Sequence, residues 1–253
     1  MTGRIARTIY PFVGLVTIVA FWQFYVDYFN VNSVVLPSPT AIYQATLDNF
    51  NELVRHTWPT FVECVLGFAL AIGIGIPIAV ALSSSTILNL TLYPILIAMQ
   101  SVPKVAVAPI ILVWFGLGIE SKLAIAFLVA FFPIVVDTAT GLSATPVGLL
   151  ELAKSLRASR WQIFWKVQLP SALPFVFAGA KVAVTLTVIG AVIGEFVGSN
   201  EGLGNLLLTA NSQLNGPLAW AALVWLSVLG MALFGAVALA ERIFMPWAKG
   251  TGH

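Results

Sequence analysis

A chain of 253 residues that is 59% hydrophobic and 9% charged is not a soluble domain, because so few polar side chains could not cover a water-facing surface. A formal charge of +2 without any basic aromatic patch gives no footing for nucleic acid, and one cysteine, Cys64, excludes an internal disulfide or a multi-cysteine metal site. Two histidines, His56 and His253, are too few and too scattered for a catalytic or metal-binding constellation; the composition is that of an integral membrane protein.

The first predicted span covers about 9–26, behind Arg4 and Arg7, and is read as retained because no small-x-small cleavage site precedes Asp27. Leu36-Pro-Ser-Pro-Thr40 then makes an extended turn, with Thr40 expected to cap a short surface helix within 41–55. The second span, about 58–82, has Gly67, Ala71, Gly75 and Ala79 at every fourth position, so a neighbouring helix can approach closely. The third, about 88–115, is interrupted by Pro94, Pro103 and Pro109, with Lys104 between the last two. Broken helices at membrane depth are tolerated where they are buried or line a watery cavity. The fourth span, about 121–142, carries Asp137 near its end.

The stretch 144–170 is the one substantial polar segment between apolar runs, and it holds Lys154, Arg157, Arg160 and Lys166. Two short helices are expected there. Thr145 can cap the first, with Pro146 at its first position; Leu149, Leu152, Ala153 and Leu156 share one face, opposite Glu151, Lys154 and Ser155. Ser159 and Gln162 stand at capping-box spacing for the second, which should stop near Pro170. Trp161, Ile163, Phe164 and Val167 are too few for a core, which makes the loop a docking surface for another subunit. The fifth span, about 173–197, contains Lys181 and a Gly190-Gly194-Gly198 stripe beside Glu195. A polar segment to Gly216-Pro217 precedes the sixth, about 218–239.

Six spans put both termini and the loop on one side. That side carries Arg4, Arg7, Lys154, Arg157, Arg160, Lys166, Arg242 and Lys249, against Arg55 and Lys122 opposite, so it is cytoplasmic by the positive-inside rule. Lys104, Asp137, Lys181 and Glu195 lie within or near the hydrocarbon and are functional candidates for that reason. Lys104 is the best candidate for a translocation path. Asp137 and Lys181 are as readily a structural ion pair, and Glu195 could act at the outer end.

Glu151-Leu-Ala-Lys-Ser-Leu-Arg157, closing on Val167-Gln-Leu-Pro170, resembles the loop of bacterial binding-protein-dependent ABC importer permeases. The family pattern runs Glu-Ala-Ala-x-x-x-Gly and ends Ile-x-Leu-Pro. Glu151, Ala153, Leu169 and Pro170 match; Leu152 replaces an Ala, Val167 an Ile, and Arg157 the Gly. With Arg at that position, the turn between the two helices is expected at Ala158-Ser159. Further similarity runs through Pro103-Lys-Val-Ala-Val-Ala-Pro109, Trp114-Phe-Gly-Leu-Gly118, Phe132-Pro-Ile134, Gly194-Glu195 and Gly202-Leu-Gly204. The chain is similar to the nitrate, sulfonate and taurine branch, which includes bicarbonate, thiamine-pyrimidine-precursor and riboflavin permeases.

The resemblance implies an all-α, polytopic type I ABC importer-like membrane domain over 1–253, with six transmembrane helices and a cytoplasmic two-helix coupling loop. It implies a bacterial inner-membrane location. It further implies coupling through Glu151, Ala153, Leu156, Arg157, Ala158, Trp161, Phe164, Leu169 and Pro170. Pro103, Lys104, Pro109, Lys181 and Glu195 are the candidates for the path. The partners it implies are a second copy of the chain, two ATPase subunits and an extracytoplasmic solute-binding protein, all around a lipid bilayer. The phosphate-cradling GxxxxGK[ST] motif is absent, so ATP and Mg are expected on the ATPase, with no cofactor, metal or catalytic residue on this chain. An ion-gradient-driven secondary transporter is the alternative class; it would want internal repeats and carboxylates deep in the spans. A membrane-embedded enzyme would want a clustered site, which the chain does not offer. The substrate stays open between small anions, which Lys104 or Lys181 could pair, and flat ring systems, which the many aromatic residues could stack.

Overall fold

The computed structural model describes the backbone of residues 2–246, and their side chains except those of residues 2–9 and of Pro11. The side chains of Arg4 and Arg7, together with Lys249 and His253, lie outside the described residues. Among the described residues every regular element is helical. In hydrocarbon a backbone must satisfy its own hydrogen bonds, and long apolar runs do so as helices.

Helix α1 (Thr2–Phe29) leads through a turn to α2 (Pro39–Asp48). The cap of α2 is Ser38, not Thr40: the Ser38 hydroxyl accepts from the Ala41 N–H at 3.2 Å, and Pro39 takes the first turn, where no donor is needed. The Thr40 N–H instead donates to Gln23 Oε1 at 3.1 Å and ties α2 to α1. The chain breaks only at Asn49, and α3 (Phe50–Ser84) begins eight residues before the span expected at 58. Its 35 residues make a rod of about 52 Å, longer than the roughly 30 Å hydrocarbon core.

The interrupted third span is two helices, α4 (Thr86–Gln100) and α5 (Lys104–Phe115), bent by 99° across Ser101-Val102-Pro103. Helix α6 (Ile119–Ser143) follows, then the loop helices α7 (Val147–Ser155) and α8 (Arg160–Ile163). A π-helical turn, Phe164–Gln168, carries α8 without a break into α9 (Leu169–Gly198). The segment read only as polar before Gly216 contains most of a further helix, α10 (Leu203–Ser212), whose Leu203, Leu206 and Ala210 are buried. Helix α11 (Gly216–Phe244) ends the described chain. Five helices, α1, α3, α6, the continuous 160–198 helix and α11, are long and apolar enough to cross a bilayer, and the bent pair counted as one crossing makes six.

Helix α6 lies at the centre, between α3 and α9. A Cβ added at Gly67 of α3 would stand 2.7 Å from the Ala126 Cβ, and one at Gly190 of α9 would stand 2.7 Å from the Ala126 Cα. Both flanking helices therefore touch α6 at one residue, and only missing side chains allow it. Ala71 and Ala79 continue the α3 stripe and are fully buried. A separate apolar cluster, including Ile42, Leu53, Leu206 and Leu226, joins α2, α3, α10 and α11 at the end far from the loop.

Candidate functional site

The loop between α6 and α9 is built by local backbone chemistry. Thr145 does not cap α7: its hydroxyl donates back to the Leu142 carbonyl at 3.0 Å, closing α6, and Pro146 takes the cap position. Helix α7 ends in a Schellman arrangement. The Ala158 N–H reaches the Ala153 carbonyl at 3.0 Å and the Arg157 N–H reaches Lys154 at 2.9 Å. The residue between cap and return is Arg157, at φ +54°. The turn thus sits at the family's glycine position and not at Ala158-Ser159, because Arg157 itself adopts the left-handed conformation. The capping box of α8 is present: the Ser159 N–H donates to Gln162 Oε1 at 2.8 Å, and the Gln162 N–H donates to Ser159 Oγ at 3.3 Å.

The second loop helix does not stop at Pro170. Pro170 has no N–H, but within the π turn the Leu169 N–H reaches back five residues to Phe164, so the ladder passes the proline by widening one turn. The face expected on α7 is also divided. Ala153 points inward and is buried, with Leu150 half-buried beside it, whereas Leu149, Leu152 and Leu156 stand exposed. Leu156 is 74% exposed and Trp161 is 69% exposed, so the loop presents a row of large apolar side chains with no cover among the described residues. Trp161 and Trp165 meet edge to face at 5.4 Å between ring centroids, and Phe164 completes the cluster. Glu151, Arg157 and Leu169-Pro170 frame this row. A cleft of about 440 Å³ between α7 and the start of α9 is lined by Leu149, Lys166, Val167 and Pro170.

Lys104 stands at the elbow of α4 and α5. Pro103 caps α5, and the Lys104 Nζ donates to the Gln100 carbonyl at 2.8 Å while lying 5.3 Å above the Phe132 ring. It borders a largely apolar cavity of about 400 Å³ walled by Met99, Ile111, Trp114, Phe127 and Phe132. Pro109 lies on the exposed side of α5.

Lys181 and Asp137 are not partners. Lys181 forms its ion pair with Glu241 of α11, and Asp137 lies against the bare backbone of Gly179. Glu195 is neither exposed nor alone. It is 1% exposed; one carboxylate oxygen accepts from Thr60 Oγ1 at 2.6 Å and the other from the Gly204 N–H. Glu63 of α3 forms an ion pair with Lys122 of α6 at 3.0 Å beside it. Sequence reasoning counted Lys122 as a cation of the side opposite the loop, dismissed His56, and passed over Glu63, Thr60 and Glu241. Glu63 was findable: it is a carboxylate inside its own apolar span, three residues after Thr60 and hence on the same helical face.

The comparisons with known proteins agree with this geometry. Residues 71–243 match the family described as binding-protein-dependent transport system inner membrane component. The chain is 38% identical to the formylaminopyrimidine transport permease protein ThiX of Halalkalibacterium halodurans, over 85% of this chain and 86% of that protein. It is 38% identical to the riboflavin transport system permease protein RibX of Chloroflexus aurantiacus, over 93% and 88%. It is 31% identical to a putative aliphatic sulfonates transport permease protein, SsuC, of Bacillus subtilis, over 91% and 84%. Among solved structures, an inward-facing MetNI methionine ABC transporter chain superposes with a TM-score of 0.66 at 26% identity, covering 76% of this chain and 95% of that one. With a helical membrane domain, an uncovered loop between its central helices and a family match over most of its length, the chain belongs to the binding-protein-dependent transport system inner membrane components, the multi-pass permease subunits that work with ATPases in ABC importers.

Proposed function

We propose that this chain forms half of a homodimeric import channel for a flat aromatic solute, delivered from outside by a solute-binding protein and moved by two ATPases that hold the ATP and Mg. The observation that carries the coupling half of this reading is the uncovered row Leu149, Leu152, Leu156, Trp161 and Trp165 on a loop continuous with α9. A contiguous apolar row of this size marks an interaction site. Glu151, Ala153, Leu156, Arg157, Ala158, Trp161, Phe164, Leu169 and Pro170 together shape that contact. Ala153 acts from within by letting α7 lie close to its own chain, and Arg157 sets the angle between α7 and α8. The chain itself does no bond chemistry; it carries solute while the partner hydrolyses nucleotide.

The solute class is supported by two observations. ThiX and RibX, each 38% identical, are named for a pyrimidine and a riboflavin cargo. The cavity at the α4–α5 elbow offers Trp114, Phe127 and Phe132 for stacking and a single cation, Lys104, at its edge. Pro103 stands in the elbow itself, and Pro109 lies within α5 beyond it. Lys181, engaged with Glu241, and Glu195, buried, serve the path by fixing its walls.

The coupling surface is tested by Leu152→Glu combined with Leu156→Glu. Burying carboxylates without partners costs roughly 2 kcal/mol or more, at least tenfold in affinity. The membrane domain should remain folded in detergent while the ATPase no longer co-purifies. Co-purification at parental stoichiometry would refute the assignment. The cargo is tested by mass spectrometry of the ligand retained by the cognate binding protein; a small inorganic anion there would refute the aromatic class.

A further inference from the structure

The seam between α4 and α6 holds a second cavity that neither the coupling surface nor the elbow uses. It measures about 410 Å³ and is lined by Asn89 and Tyr93 of α4 and by Ala139, Thr140, Ser143 and Ala144 at the end of α6. On both helices these residues lie on the loop side of those that wall the elbow cavity. Counting from Met99 to Asn89 and from Phe132 to Thr140, the cleft lies roughly 12–15 Å farther along the seam. An apolar plug separates the two. Leu96 of α4 and Phe131 of α6 pack on the cluster that contains Val135. Phe131 also meets Phe127 and Phe132 of the elbow cavity, at 5.2 and 5.4 Å between ring centroids.

The polar side chains of this cleft differ from those elsewhere in the spans. Thr57, Thr91, Thr187 and Ser227 each donate to the carbonyl four residues back in their own helix, which hides the hydroxyl from hydrocarbon. Asn89, Tyr93, Thr140 and Ser143 make no side-chain hydrogen bond to any described residue, and all four line the cleft. No carboxylate, ammonium or guanidinium among the described residues lines it. Asp137, the acid in this half of α6, lies against Gly179 of α9 instead.

We propose that this cleft is an inner station for the imported solute, binding an uncharged heterocycle by hydrogen bonds once it has passed the plug. The proposal rests on the reading of an aromatic cargo and of a cytoplasmic loop. The two cavities divide the work of recognition: the elbow offers ring faces, and the cleft offers donors and acceptors. The Asn89 carboxamide presents an NH₂ donor beside a carbonyl acceptor, which matches a ring edge where N–H and C=O stand side by side. The Thr140 and Ser143 hydroxyls serve in either sense, and Tyr93 adds a ring to stack on. An anion meets no countercharge there and would exchange its hydration for neutral donors alone, a heavier loss than a neutral ring suffers. The station also adjoins the coupling loop. The Ala144 N–H closes on the Thr140 carbonyl in the last turn of α6, directly before the loop begins. A ring seated there braces α4, the wall of the elbow, against the helix end from which α7 departs.

Fluorine NMR titration of the assembled complex in lipid nanodiscs, without ATP or binding protein, tests the site. Fluorocytosine is the probe, a neutral ring with a donor–acceptor edge. Fluorobenzenesulfonate, a ring of similar size with a negative charge, is the control. Fluorocytosine should bind the parent more tightly than the sulfonate. Asn89→Leu combined with Thr140→Val should weaken it about tenfold, the effect of losing two hydrogen bonds. Trp114→Ala, on the wall of the elbow cavity, should leave that affinity within about twofold, because distant sites act independently. No binding to the parent, equal affinity in parent and Asn89→Leu/Thr140→Val complexes, or tighter binding of the sulfonate would each overturn the proposal. So would a loss confined to Trp114→Ala, which would assign the probe to the elbow. A small anion on the cognate binding protein would defeat the cargo reading and, with it, the cleft's place on the path; the titration reports on the site itself and separates the two failures.

Discussion

Arg157 shows how a single residue can keep a pattern's geometry without its chemistry. Glycine reaches the left-handed region freely, whereas a residue with a Cβ gives up about 1 kcal/mol there. Arg157 accepts that cost because two backbone hydrogen bonds, to Lys154 and Ala153, depend on the conformation. Leu214 does the same after α10, where the Leu214 and Asn215 N–H groups return to Asn211 and Ala210. Arg157→Gly should therefore strengthen the end of α7, and amide exchange at residues 157 and 158 should slow by roughly fivefold, equivalent to about 1 kcal/mol. Arg157→Ala removes the same cation but keeps the strained conformation and should leave the exchange near the parental rate. Equal slowing in both variants would place the effect in the lost charge and not in the backbone.

At the scale of elements, the sequence was most legible where a cap or a glycine stripe acts locally. The Ser159–Gln162 box and the Gly67-Ala71-Gly75-Ala79 face both stand as their spacing requires. It was least legible where a neighbour decides. Ser38 outcompetes Thr40 as a cap because Thr40 is drawn to Gln23 of α1. Helix α10 hides in a polar segment because Leu203, Leu206 and Ala210 bury one narrow stripe against α11. Pro170 looked like a stop because proline removes a donor, and the remedy, one wider turn, leaves no periodic trace. That continuity has a mechanical role if the loop drives the span. Two glycines inserted between Gln168 and Leu169 would break the connection without touching either face. Reconstituted complexes with this insertion should hydrolyse ATP yet import at less than about a tenth of the parental rate, the outcome of inserting costly, poorly helical residues at the joint. Unchanged import would show that force enters through α6 and α7 instead.

Over the whole molecule, the six-crossing count and the clustering of cations near the loop were readable from the order of apolar runs and charges along the chain, but the meaning of individual charges was not. Lys122 counted as an outward-facing cation and is buried on Glu63; Lys181 looked like a partner for Asp137 and belongs to Glu241. Pairing depends on which helices touch, and α11 returns beside α9 only in three dimensions. The orientation can be tested directly. With Cys64→Ala as background, Ser155→Cys lies on exposed α7 and should react with an impermeant thiol reagent only after cells are opened; labelling of intact cells would invert the arrangement. Because Gly67 and Gly190 both press on Ala126, α3, α6 and α9 have no slack between them, and a close-packed interior transmits displacement instead of absorbing it. Stiffness is thus concentrated in three helices that reach from the loop to the buried Glu63–Lys122 ion pair. Compliance is left to the 99° elbow at residues 101–103 and to Gly116, where φ is +77°. Each transport stroke should therefore bend the chain at those two joints, beside the Lys104 cavity, while the wedge tilts as a single beam.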